Sequence, residues 1–129
     1  KDYQQRAVIR QLGTDLACPG QIVAGSIVRE ADGLAMSSRN QYLSADERPR
    51  AAEIRKALVA MRDGLFAGLS RAQVEADAAR RLTEVGYAVD YTVVRRPDLS
   101  EPVDGETGAR VALIAARLGR TRLIDNLEF

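Results

Sequence analysis

The sequence has no histidine, one cysteine, no long apolar run and almost no net charge, and each shortage closes off a class of function. Without histidine there is no Cys/His cluster for zinc and no imidazole to activate a nucleophile. Cys18 has no partner for an internal disulfide, and its place before Pro19 and Gly20 reads as a packed or partly exposed thiol. A reducing, cytoplasmic compartment is the expectation. No stretch approaches the ~20 apolar residues that span a bilayer, and the opening lacks the basic-then-apolar pattern of a secretion signal. A membrane is therefore not an expected partner, and neither is nucleic acid. The net charge is +1, and the 19 basic residues, all arginine except Lys1 and Lys56, are interspersed with 18 acids and form no basic run interleaved with aromatics.

What is present suits an ordered chain: 46% of 129 residues are hydrophobic and 29% charged, enough for one compact domain whose opening stretch can belong to a neighbour. From Asp2, the text DYQQRAVIRQLGTDL reads as a helix, with Ala7, Val8, Leu12 and Leu16 near helical spacing and Gln5 three residues after Asp2. Asp2 is a candidate N-cap. Gln21 to Glu30 reads as a buried strand interrupted at Gly25, its end opening Val28 and Arg29 onto the same crevice as Lys1. Ser44 and Glu47 match a capping box before a long helix with Ile54, Leu58, Met61 and Leu65 as its apolar stripe; Pro49 sits awkwardly in its first turns. Ser70 and Gln73 cap a second helix, striped by Val74, Ala78, Leu82 and Val85 and stopped at Gly86.

The period then changes. Val89 to Arg96, Ala109 to Leu118 and Thr121 to Phe129 read as strands, the last two joined by Gly119-Arg120 in a type II′ hairpin. A polar loop, Asp98 to Gly108, separates the first two and is expected to be exposed and mobile. The fold class expected is α+β: the end of a Rossmann-like domain over 1–43, holding a helix and a strand, then a small carboxy-terminal domain over 44–129 of two helices and a three-stranded antiparallel sheet.

The loop from Arg29 to Ser44, READGLAMSSRNQYLS, carries the chemistry. Gly33 frees the backbone, Met36 is an apolar anchor, Ser37 and Ser38 bring adjacent hydroxyls, and Arg39 adds a planar cation able to donate two parallel hydrogen bonds. Such groups hold phosphate oxygens and offset charge on a leaving pyrophosphate. Alone, a small-residue loop with one arginine is as readily a turn. Arg29, Glu30 and Asp32 read as pairing or capping within it, Arg95-Arg96 as a solvated strand end, and Asp125-Asn126 as a tie from the hairpin back to the loop.

KDYQQ at Lys1 to Gln5 and ADGLAMSSRN some thirty residues later resemble, in combination, the pantothenate synthetases, the pantoate:β-alanine ligases of the nucleotidyltransferase superfamily. MSSRN stands where the related class I aminoacyl-tRNA synthetases carry their KMSKS loop. The resemblance continues through VDYTVVRRPDL and AARLGRTRLIDNLEF and so covers essentially the whole chain. It implies condensation of pantoate with β-alanine through a pantoyl adenylate, with ATP as substrate, Mg²⁺ on its phosphates and no metal held by the chain's own residues. It implies Lys1 on the phosphates, Asp2 on the ribose, Gln5 on pantoate, Val28 on the adenine edge, Met36 as packing, and Ser37, Ser38 and Arg39 on the phosphates. Lys1, Ser37, Ser38 and Arg39 are the catalytic candidates. For Asp2 the cap and the ribose remain open alternatives, and for Gln5 a reciprocal cap and pantoate.

The family's histidines lie in an amino-terminal half, so this chain is expected to be a carboxy-terminal portion, inactive by itself, of a homodimeric enzyme. The competing reading is a non-catalytic interaction or assembly domain that keeps a degenerate nucleotide site.

Overall fold

The computed structural model describes residues 1–103 and 105–129; Asp104, inside the loop expected over Asp98 to Gly108, lies outside the described residues. Three strands, β1 (Tyr87–Arg95), β2 (Val111–Leu118) and β3 (Thr121–Glu128), form an antiparallel sheet in the order β1-β2-β3. β2 is central, which explains its near-continuous apolar run: both of its faces are covered. Ala112, Ile114, Ala116 and Leu118 enter the main core, while Val111 and Leu113 enter a smaller cluster with Tyr3 on the opposite face. Leu118 stands opposite Thr121 in the β2–β3 register. Between them Gly119 has φ 55° and Arg120 does not share the positive φ, the pairing that a type II′ turn requires and a type I′ turn forbids. Register slips by one residue at Asp90, between Val89 and Tyr91, leaving a bulge in β1.

The core is closed by α3 (Glu53–Phe66) and α4 (Arg71–Glu84). Ile54, Leu58 and Met61 of α3 meet Val74, Ala78 and Leu82 of α4, all buried at the spacings expected from their stripes. Side chains of this kind each contribute about 1.5–3 kcal/mol on full burial. Both predicted caps are formed: Ser44 and Glu47 exchange backbone-to-side-chain bonds, as do Ser70 and Gln73. The single long helix expected after Ser44 is instead two pieces. A short α2 (Glu47–Ala51) carries Pro49, and α3 begins after Ala52. Pro49 lies in the first turn of α2, where a missing N–H costs no ladder bond, so it is tolerated there and the break comes three residues later. The Ala51 carbonyl at the junction is satisfied from outside, by the buried Tyr87 hydroxyl at 3.0 Å. Burial pushes the phenol pKa up, so Tyr87 stays a donor.

The opening of the chain behaves differently. Helix α1 (Tyr3–Asp15) forms with Asp2 as its N-cap, the Asp2 carboxylate accepting from the Gln5 N–H at 3.0 Å. Only Tyr3 of this helix is buried; its ring packs by Val111 and Leu113 and its hydroxyl donates to the Pro97 carbonyl at 3.0 Å. Ala7 is half-buried, and Val8, Leu12 and Leu16 are exposed. The strand expected over Gln21 to Glu30 is not formed. The segment's one ladder contact is an isolated bridge from Arg29 to Ala35. A strand needs a neighbour to take its N–H and C=O groups, and no strand of the described residues lies beside this one.

Among the described residues no helix is long and apolar enough to cross a membrane.

Candidate functional site

The loop after Val28 is built by a tight turn. Gly33, at φ 90°, lets the chain fold back so that the Glu30 N–H reaches the Leu34 carbonyl at 2.8 Å, while the Asp32 carboxylate accepts from the Leu34 N–H at 3.1 Å. Leu34 is driven into the main core, so the turn is anchored to α3 and the sheet. Arg29 and Asp32 do not pair with each other. Arg29 leaves the loop to make a fork with Asp125 on β3, Nη1 to Oδ2 at 2.7 Å and Nη2 to Oδ1 at 3.0 Å. Asp32 instead accepts from Arg48 of α2, which holds its carboxyl below the usual range.

Past the turn, the Met36 N–H donates to the Val28 carbonyl at 2.9 Å and Asn40 donates its side-chain amide to the Ala35 carbonyl at 3.2 Å. A short 3₁₀ helix, Ser38–Tyr42, follows; the Ser37 oxygen caps it by accepting from the Arg39 N–H at 3.2 Å. That contact uses the oxygen of Ser37 and leaves its hydroxyl proton free to donate. Ser38, Met36 and the Arg39 side chain are exposed.

A cleft of about 500 Å³ opens between the start of α1 and the end of β3, lined by Lys1, Asp2, Gln5, Arg29, Arg55 and Asn126 among others. Three expected site residues, Lys1, Asp2 and Gln5, therefore meet in one place. Arg39 faces a second depression of about 440 Å³ with Tyr42, Arg120, Thr121 and Arg122. Val28 is exposed and lines neither, so the expectation that it opens onto the crevice of Lys1 holds only for its neighbour Arg29. The bond from Met36 turns the Val28 carbonyl into the loop.

Charge in the cleft is predominantly positive, and it is felt. Although Lys1 is exposed as a residue, packing around its amine pushes the ammonium pKa down; Asp125 opposes this, Arg39 reinforces it and Asp2 opposes it. The Arg39 guanidinium thus lies near enough to act on the Lys1 amine, although the two line different depressions. Burial also lowers the Arg55 pKa, with Arg29 adding to the effect, and the Arg55 Nη1 is buried without a hydrogen-bond partner among the described residues. The nearby buried acid, Asp125, is already taken by Arg29. The arrangement can bind an anion: an amine and three guanidiniums, Arg6 paired with Glu128 and Arg29 with Asp125, face a space whose acids are capping or paired.

Asp2 and Gln5 resolve in part. One Asp2 oxygen caps the helix, leaving its second oxygen open, and no capping box is closed by the Gln5 side chain. Sequence reasoning did not find Tyr3 or Arg55. Arg55 carries no signal beyond following Ile54 on an amphipathic helix, and Tyr3 lies within the motif without standing out. Arg95 and Arg96 lie half-buried at the strand end, still reached by solvent but paired: Arg95 reaches Glu101 at 3.3 Å and Arg96 pairs with Glu106. The described residues contain no group of three His, Cys, Asp or Glu side chains placed to hold a metal ion.

The model of the pantoate-beta-alanine ligase family matches residues 1–128. The chain belongs to that family. Family members called pantothenate synthetase, from Xanthomonas euvesicatoria pv. vesicatoria and Xanthomonas oryzae pv. oryzae, are 70% identical over all 129 residues. The chain spans about half the length of these curated relatives, 46%. A crystal structure of pantothenate synthetase from Thermus thermophilus superposes with a TM-score of 0.90 at 38% identity, over 98% of this chain and 46% of that one. The pantoate-beta-alanine ligase of Francisella tularensis, solved with "Beta-gamma ATP and Beta-alanine", superposes with a TM-score of 0.67 over 98% of this chain and 40% of its own. At 23% identity that likeness shows the fold alone. The helix-and-sheet unit of this chain is thus a recurrent part of pantoate-beta-alanine ligases.

Proposed function

We propose that the full-length protein, of which this chain is the carboxy-terminal part, condenses pantoate with β-alanine using ATP. The observation that carries this reading is the gathering of Lys1, Asp2 and Gln5 in one cationic cleft within a chain 70% identical throughout to pantothenate synthetases. A carboxylate is a poor electrophile. In the first step a pantoate carboxylate oxygen bonds to the α-phosphorus of ATP and the bond to pyrophosphate breaks, giving pantoyl adenylate. In the second the β-alanine amine attacks the acyl carbon, the acyl–phosphate bond breaks with AMP leaving, and the amine loses a proton.

The residues take roles that their geometry permits. Lys1 supplies charge to the phosphates, and its lowered pKa follows first from the packing around its amine. Asp2 caps α1 with one oxygen and accepts from a ribose hydroxyl with the other; the two roles coexist. The Gln5 amide donates to and accepts from pantoate. Val28 meets the adenine edge through its backbone, and Met36 supplies packing. Ser37 and Ser38 donate to phosphate oxygens, and Arg39 offsets charge as pyrophosphate departs. Mg²⁺ would enter with the nucleotide substrate and offset charge on its phosphates. Residues 44–129, with the loop they anchor, act as a lid over the nucleotide. The isolated chain is inactive, and the full-length protein is a cytoplasmic homodimer joined through its other half.

The test is pantoate-dependent exchange of labelled pyrophosphate into ATP, run on the full-length protein with this chain beside it. Exchange by the first and none by the second is expected. A folded full-length protein that does not exchange would overturn the ligase reading and favour an assembly domain. Protection of the Arg29 to Ser44 amides from hydrogen exchange by Mg-ATP and pantoate is the expected sign of closure; unchanged exchange would remove the lid.

A further inference from the structure

Two elements carry the proposed phosphate-handling groups, and they are far apart in sequence. Lys1 opens α1, whereas Arg39 follows the Arg29–Ala35 turn. What sets their spacing is the end of β3. In a strand, successive side chains point to opposite faces. Asp125 stands opposite Ile114, whose side chain lies in the main core, and Asn126 stands opposite Leu113, which belongs to the Tyr3 cluster on the other face. Adjacent residues thus reach opposite sides of the sheet, and each grips a different element.

On one side, the Asp125 carboxylate is fully buried, receives the Arg29 guanidinium at 2.7 and 3.0 Å, and accepts the Asn126 N–H at 2.8 Å. Arg29 also donates to the Gly33 carbonyl at 3.0 Å, so the fork holds the turn and not merely one side chain. On the other side, the Asn126 side-chain amide donates to the Lys1 carbonyl at 2.6 Å, immediately before the N-cap.

We propose that Asp125 and Asn126 form a two-sided clamp that registers the start of α1 against the Met36–Arg39 loop, which makes both of them positioning residues for the phosphate-handling groups. This rests on the roles given above to Lys1 and Arg39. The choice of residue types supports positioning over simple stability: a buried ion pair is often no more stabilising than apolar side chains of the same volume, whereas it fixes direction and distance through a planar fork. In phosphoryl chemistry that fixing matters, because catalysis depends on placing charge where it develops.

The test uses the full-length enzyme, with pyrophosphate exchange and thermal unfolding followed together. Asn126→Ala is expected to lower kcat/KM for exchange about 100-fold at temperatures where the variant remains folded, the scale of a small misplacement of reacting groups. Most of that loss is expected to vanish in a Lys1→Ala background, because a residue acting through Lys1 has nothing left to place. Asp125→Asn is expected to show the same non-additivity with Arg39→Ala. Should a buried substitution unfold the protein, Arg29→Lys keeps the charge, removes the fork and decides the matter in its stead. A folded Asn126→Ala or Arg29→Lys enzyme with wild-type exchange would overturn the clamp, and so would losses that add in full to those of Lys1→Ala or Arg39→Ala. An active wild type with unimpaired clamp variants overturns this inference alone; an inactive wild type overturns the ligase reading and the clamp with it.

Discussion

Residues 47–129 and residues 1–28 carry the same kinds of pattern, yet they meet different fates. In the first region Ile54, Leu58, Met61, Val74, Ala78 and Leu82 are all buried where their stripes place them. In the second, Val8 is 65% exposed and Val23 78%, though both belong to equally clear apolar patterns. Helix α1 survives because its hydrogen bonds close within itself and Asp2 caps it. Gln21 to Glu30 has no such recourse, since a strand's backbone bonds lie outside it. The difference teaches that periodicity announces a face to be covered, not that the cover lies within the chain.

The contrast is broken or sharpened by substitution. Leu58→Ala, at a side chain with no exposure, is expected to cost about 2–5 kcal/mol, whereas Leu16→Ser in this chain should change stability by no more than ~0.5 kcal/mol. Denaturant unfolding of the 129-residue chain compares them, and equal losses would erase the distinction between the two regions. The loop joining them is expected to matter for chemistry more than for folding. Arg39→Ala in the full-length protein should lower kcat/KM at least ~100-fold with little change in melting temperature, because the guanidinium has no acid partner among the described residues; wild-type turnover would remove Arg39 from the phosphates.

Within the well-packed region, Gly119→Ala tests the hairpin. Its φ of 55° disfavours a side chain, and an added Cβ would run into the Glu47 carboxylate. A loss of at least about 1 kcal/mol in thermal unfolding is expected; a neutral result would mean that the turn relaxes freely. The smallest effect belongs to Glu106, which Arg96 and then the Val103 N–H hold down at about 2 from a usual 4.5. A depressed carboxyl stabilises above the unfolded pKa and loses that contribution as pH falls through the folded one. Amide protection around Val103 and Glu106 should therefore decline as pH falls from about 4.5 to about 2. Constant protection through that window would mean that the pair does not hold the loop.

Much of the fold was legible because its signals are local. Ser44 with Glu47 and Ser70 with Gln73 satisfy helix ends within four residues, and Gly119 marks a turn whatever surrounds it. Pro49 announced an irregular first turn but not the break at Ala52, where Tyr87 arrives from another element to occupy the Ala51 carbonyl. In the site, the residue types of the Met36–Arg39 loop were readable as phosphate chemistry, and Asp125-Asn126 as a tie. That the tie has two directions was not readable, since it follows from the β2–β3 register and the docking of Tyr3 on the far face. Arg55 was invisible for the same reason: its place in the cleft is set by packing across the chain.

The burial of Tyr3 alone among the residues of α1 makes that helix a lever with its fulcrum at the site. Thirteen residues at 1.5 Å each give an arm of about 20 Å, so a tilt of about 10° about Tyr3 carries Asp15 through roughly 3 Å by the same geometry. Lys1, beside the fulcrum, hardly moves. A push on the far end of α1 is therefore felt least at Lys1 and Asp2 and more at Ile9, which lines the same cleft further along the helix.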